Sequence, residues 1–304
     1  MSWKTLQQQP AASAPPLYDI AAASQEPLPA ADPTAAKLRQ LAQQHEIRPD
    51  FVAKLQQLRG FSIVLLCDDS GSMATPCVDG AGRGANQDPY APPRTRWTEL
   101  RDYVRIAVDL ASCFGAEGVD VRFLNRQGLR GVTDAAQVDI LFALNPAGYT
   151  PIVPALNTIL HDYRVELAEH PVLVILVTDG EPTDTAGRSN TAAFLHAVQT
   201  KPARLHLSIV ACTDDEDAVG YLDRVDCSAP HVDVCDDYPS ERKQVQAAQG
   251  GAGRFPFSFG DYLVKSMLGP IDPYFDQLDE SPVTAGHQSD RHAHRQNCEF
   301  CVIS

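Results

Sequence analysis

Phe61-Ser62-Ile63-Val64-Leu65-Leu66-Cys67-Asp68-Asp69-Ser70-Gly71-Ser72-Met73 is the stretch on which the reading of this chain turns. Its near-continuous apolar run, Phe61 and then Ile63 to Cys67, suits a strand covered on both faces. The run ends in Asp68-x-Ser70-x-Ser72, three oxygen-bearing side chains at alternate positions. In an open α/β sheet the ligand crevice lies just past the carboxyl ends of the strands. One carboxylate and two hydroxyls are hard donors, suited to Mg²⁺, Mn²⁺ or Ca²⁺ rather than zinc. The same three residues also suit an ordinary capped strand-to-helix turn, and the stretch alone leaves both readings open.

A second continuous apolar run, Val172 to Val177, ends in Thr178-Asp179-Gly180. Between the two lies Asn145-Pro146-Ala147-Gly148-Tyr149-Thr150-Pro151, a loop that leads into a helix with proline in its first turn. The succession Asp-x-Ser-x-Ser, Gly-x-Thr-Pro, then a buried strand with Thr-Asp-Gly resembles the von Willebrand factor A (VWA) domain and its metal-ion-dependent adhesion site. The resemblance spans residues 60–270. It assigns Asp68, Ser70 and Ser72 to the first segment of that site, Thr150 to the second and Asp179 to the third, with Mg²⁺ the default ion and Mn²⁺ or Ca²⁺ as substitutes. It also implies a doubly wound, mostly parallel six-stranded sheet in the order 3-2-1-4-5-6, with the third strand antiparallel and helices on both faces. In that order Asp68 and Asp179 stand at adjacent strand ends.

Outward from the two strands, the chain divides by composition and period. Residues 1–35 are rich in Ala, Pro, Gln and Ser and read as a disordered arm. Residues 36–59 show helical spacing (Leu38, Leu41, Phe51, Val52, Leu55, Leu58), with Pro49 dividing them in two. The Gly- and Pro-rich stretch 74–95 reads as a lid or a disordered loop beside the site. Helices are expected at 97–114, 134–144, 151–169, 190–199, 214–225, 240–249 and 259–268. Further strands are expected at 119–124, 129–132, 205–212 and 232–235. Strands alternating with helices in this way call for an α/β sheet. Residues 271–280 form a C-terminal flank, and 281–304 a flexible tail.

Composition excludes several classes of function. The formal charge of −14, with no basic run to offset it, argues against nucleic acid as a partner. No apolar stretch approaches the roughly 20 residues that a bilayer-spanning helix needs. Eight cysteines without framework spacing point to a reduced, cytoplasmic setting. Met1-Ser2-Trp3-Lys4 opens no secretory signal and lacks the glycine of N-myristoylation.

The tail reads Cys298-Glu299-Phe300-Cys301-Val302-Ile303-Ser304. Its last four residues match the prenylation signal, with terminal Ser favouring farnesyl on Cys301. One prenyl chain holds a membrane only marginally, which makes Cys298 a candidate for palmitoylation. A rival reading takes His292, His294, Cys298 and Cys301 as zinc ligands, although their spacing fits no common finger. The functional expectation is a metal-dependent protein-binding module on cytosolic membrane faces. A partner's acidic side chain would complete the ion's coordination, as the resemblance implies, and there would be no turnover. Two alternatives stand beside it. One is a metal-assisted phosphatase or hydrolase using Asp68, although Ser70 stands where aspartyl phosphatases place a second Asp. The other is a VWA scaffold with an unused site.

Overall fold

The structure is a computed structural model that describes residues 33–77, 93–115, 117–213, 215, 219–226 and 228–283. Six strands form one sheet: β1 (Ser62–Cys67), β2 (Val119–Phe123), β3 (Leu129–Val132), β4 (Val172–Thr178), β5 (Leu205–Ala211) and β6 (Val232–Cys235). Their order is β3-β2-β1-β4-β5-β6. All neighbours run parallel except β2 and β3. This is a doubly wound α/β fold, and its strand order reverses between β1 and β4.

The strands alternate their side chains between two apolar layers, as a pleated strand must. Ile63, Leu65 and Cys67 of β1 join one layer, while Val64 and Leu66 join the other. Over the first layer lie α1 (Pro33–Gln44), α2 (Pro49–Lys54), α3 (Arg96–Ala111) and α4 (Ala135–Leu141). The second is covered by α5 (Ile152–Asp162), α7 (Thr191–Gln199) and α8 (Leu222–Asp226), with the short α6 (Glu166–Glu169) after α5. The remaining helices, α9 (Tyr238–Ala248), α10 (Phe259–Leu268) and α11 (Pro273–Asp276), return to the first layer.

Local sequence explains where the helices start. Thr95 and Thr98 form a capping box on α3, Asp134 and Gln137 one on α4, and Ser258 and Asp261 one on α10. On α3 the buried residues Leu100, Tyr103, Val104, Ala107, Val108 and Ala111 follow the helical period and face the sheet.

Pro49 separates α1 from α2 as its fixed φ predicts. The helix expected over 151–169 is broken: α5 ends at Asp162, whose carboxylate accepts hydrogen bonds from Arg122 and Arg130 on the β2–β3 edge. The chain turns there at Tyr163, which caps α5 and is itself buried. Of the helix expected over 214–225, the described part is Leu222–Asp226. The short helix α11 had no counterpart in the apolar periodicity; Asp272 caps it and Pro273 opens it.

The flanking helices are integral to the packing. Phe51 is fully buried and meets Phe275 edge-on at 4.8 Å between ring centroids. Lys54 pairs with Asp272 at 2.7 Å. On α10, the fully buried Lys265 pairs with Glu241 of α9 at 3.0 Å and with Asp279 at 3.5 Å. No helix among the described residues is long and apolar enough to cross a membrane.

Candidate functional site

The carboxyl end of β1 meets that of β4 at the point of strand reversal, and there the expected oxygens come together. Asp68 leaves the strand with its N–H still bonded to the Val177 carbonyl at 2.9 Å. Its Oδ1 accepts the Ser70 backbone N–H at 2.8 Å, and its Oδ2 accepts the Thr178 hydroxyl at 2.6 Å. The Ser70 and Ser72 hydroxyls are 3.0 Å apart, and Ser72 donates to Asp179 Oδ1 at 2.7 Å. Asp68, Ser70, Ser72 and Asp179 are therefore one connected set. Ser70 stands at the start of a single 3₁₀ turn, Gly71–Ala74, but its side chain makes no capping bond. The hydroxyl lies 3.0 Å from that of Ser72 instead, while the turn after the strand is held by Asp68, which accepts the Ser70 N–H.

Thr150 joins from the next loop. The Gly71 N–H bonds the Gly148 carbonyl at 3.1 Å, and the Ala147 N–H bonds the Asp69 carbonyl at 2.7 Å, stitching the two loops together. Gly148 has φ +114°, and a side chain there would strike Asn125. The Thr150 backbone is fixed on both sides: its N–H bonds the Thr183 hydroxyl and its carbonyl accepts from Ile152 and Thr183. Its Oγ1 lies over Gly180, only 3.6 Å from where a β-carbon would sit. The hydroxyl thus stands over Gly180, the residue that follows Asp179. Cys298, Cys301, His292 and His294 lie outside the described residues, as does most of the 74–95 stretch.

Three residues that sequence reasoning passed over complete the arrangement. Arg96, the first residue of α3, donates from one guanidinium nitrogen to Asp179 Oδ2 at 2.8 Å and from the other to the Thr213 hydroxyl at 2.7 Å. Thr178 holds Asp68, as described. Asp69, although adjacent to the motif, points away and pairs with Arg126 at 2.7 Å. It also accepts from the Asn125 backbone, anchoring the loop after β2. One sign of Arg96 was available in the sequence: a cation in the first turn opposes the helix dipole and calls for a carboxylate nearby.

Burial, and after it the charge of Asp179, raises the Asp68 carboxyl from 3.8 to about 6, against the lowering effect of its bonds to Ser70 and Thr178. Two buried carboxylates thus repel each other across the crevice. Such a set fits a hard divalent cation: two anionic oxygens supply the charge, and three neutral hydroxyls complete a shell without adding more. Among the described residues no three of His, Cys, Asp and Glu cluster as metal ligands. A cation here would depend on the serine and threonine hydroxyls.

Beside Arg96 opens a cavity of about 330 Å³, lined by Glu99, Tyr103, Cys212, Thr213, Tyr238 and Tyr262 among others. Cys77 also borders it. Burial, followed by the hydrogen bond and charge of Glu99, pushes its thiol up to about 12, so it stays protonated at neutral pH. No protein-family model matches the chain, and no curated protein matches it either.

Proposed function

We propose that this chain is a divalent-metal-dependent protein-binding module of the VWA kind. Asp68, Ser70, Ser72, Thr150 and Asp179 hold one Mg²⁺, or Mn²⁺ or Ca²⁺ in its place, and an acidic side chain of a partner protein completes the site. The observation that carries the reading is the hydrogen-bonded chain from Asp68 through the Ser70 N–H and the Ser70 and Ser72 hydroxyls to Asp179, two buried carboxylates at the ends of separate strands in the strand-reversal crevice. The bound ion supplies a Lewis-acidic acceptor for the partner's carboxylate.

The chain's own residues do the rest. Thr178 and the Ser70 N–H hold both oxygens of Asp68, which suits a fixed ligand better than a nucleophile. The backbone bonds of Thr150 place its hydroxyl without using it. Leu144, just before the Thr150 loop, and Tyr149, within it, are large apolar residues 70% and 56% exposed. Apolar area next to a metal site suits a protein partner, whose contact surface combines apolar and polar groups.

Calorimetry on the chelator-treated chain is expected to show one site for Mg²⁺ or Mn²⁺, with the melting temperature rising as free metal increases. Heatless titrations with millimolar Mg²⁺, Mn²⁺ and Ca²⁺ would sink the reading.

The proposal extends to placement at cytosolic membrane faces, through a prenyl group on Cys301 supported by an acyl chain on Cys298. Intact-mass measurement of the protein made in eukaryotic cells is expected to show both additions. An unmodified mass removes the anchor and leaves the binding reading untouched.

A further inference from the structure

We propose that Arg96 is a built-in competitor for the metal: its guanidinium occupies Asp179 when the cation is absent, and it must swing away before a divalent ion can be fully held. The inference rests on the metal-binding reading above and assigns that site its regulation.

Both oxygens of Asp179 are already engaged, Oδ1 by Ser72 and Oδ2 by Arg96. A hydroxyl can rotate and turn a lone pair to an incoming ion. A guanidinium offers only donors and a positive charge, so it takes the Oδ2 lone pairs and repels a cation brought to the same carboxylate. The pairing is well enclosed: the Asp179 side chain is fully buried and that of Arg96 is 14% exposed. Thr213 fixes the second nitrogen, so the arginine is oriented and not merely nearby. The position of Arg96 sharpens the point. At the first residue of α3 a positive charge opposes the helix dipole, and the pairing with Asp179 offsets that conflict.

Glu99 offers the guanidinium a second seat, beside the Cys77 thiol that donates to one of its carboxylate oxygens at 3.1 Å. Arg96 and Glu99 both line the 330 Å³ cavity, and Glu99 lies one turn along the same helix, where an i,i+3 ion pair forms readily. The side chain thus has two carboxylates to choose between, one at the metal site and one away from it. Metal affinity in the native chain is reduced by the fraction of molecules in which Arg96 sits on Asp179. Whatever moves the arginine toward Glu99 opens the site, and whatever returns it closes the site.

Mn²⁺ titration by calorimetry of the full chain after chelator treatment tests this, with circular dichroism confirming the fold of each variant. Arg96→Gln is expected to bind Mn²⁺ about tenfold more tightly than wild type, or better. Arg96→Lys, which keeps the charge, is expected to stay near wild type. Glu99→Gln, which removes the second seat, is expected to bind more weakly, a shift of opposite sign from two residues on the same helix. Tight binding by Arg96→Gln with none by wild type also supports the proposal. Equal affinities of wild type and Arg96→Gln overturn it while leaving the metal site standing. Absence of Mn²⁺ binding in wild type and Arg96→Gln alike overturns the metal site itself, and this proposal with it.

Discussion

Lys265→Met is expected to destabilise the fold by about 3–5 kcal/mol, the usual cost of removing one partner from a buried ion pair. Burial by itself would lower the Lys265 ammonium, but Cys235, Glu241, Asp233 and Asp279 outweigh that effect and hold it charged, well above the ordinary lysine value. Methionine fills similar volume, so the loss is electrostatic and not a cavity. Burial raises the Glu241 carboxyl from 4.5 to about 7 even with the lysine present. A carboxyl raised in the folded state takes up its proton there before it does in the unfolded chain. Its contribution therefore favours folding below about 4.5 and is lost as pH rises through about 7. Lys265 lowers that carboxyl, so without the ammonium it rises further and the loss extends to higher pH. Urea denaturation of the variant should show its greatest deficit near pH 8 and a smaller one near pH 5.5. A deficit under about 1 kcal/mol at pH 8 would mean that the carboxylates are hydrated and not dependent on Lys265.

Thr150→Ala and Asp179→Ala are each expected to abolish partner capture while keeping the native circular dichroism. Thr150 uses backbone groups for its structural bonds, so its hydroxyl can be lost at little cost to the fold. Asp179 supplies one of the two carboxylates that meet at the site among the described residues. Loss of residues that merely orient a metal ligand weakens binding 10–100-fold, so loss of a ligand itself should exceed about 100-fold. Asp179→Ala also frees Arg96, which keeps Thr213 and gains Glu99 as its neighbouring carboxylate. Mn²⁺ calorimetry beside a chelator-controlled pull-down reads both steps. Undiminished capture by both variants would place recognition on another surface.

The sheet was largely legible because a parallel strand covered on both faces must be apolar along its whole length, as Val64 to Cys67 and Val172 to Val177 are. Strand order was not legible from spacing, since nothing in the run Leu205 to Ala211 says that it lies beside β4. The resemblance supplied that order, and the pairing of Val174 with both Val64 and Leu207 agrees with it. At the site, residues carried by short local motifs were visible. Arg96 was signalled only by a cation at the start of α3 and Thr213 not at all, because their pairing arises only when the start of α3 and the end of β5 meet over β4. Tyr163 shows the same limit: the apolar period ran on through it, and the helix ends there beside the tertiary bonds of Asp162 to the sheet edge.

The reversal of strand order also sets a timetable for synthesis. Asp68 and Thr178, hydrogen-bonded in the finished protein, are 110 residues apart in the chain. As the chain is made, β1 can pair with β2 on one side soon after both emerge, but its other edge has to wait for β4. At about 5–20 residues per second that wait lasts on the order of 5–20 s. Throughout it, an apolar strand presents unpaired backbone along one side, the form of edge most prone to pair with other chains. The polar crevice closes at the same moment as that edge, so a nascent chain in which Asp68 meets Thr178 has already passed its most aggregation-prone stage.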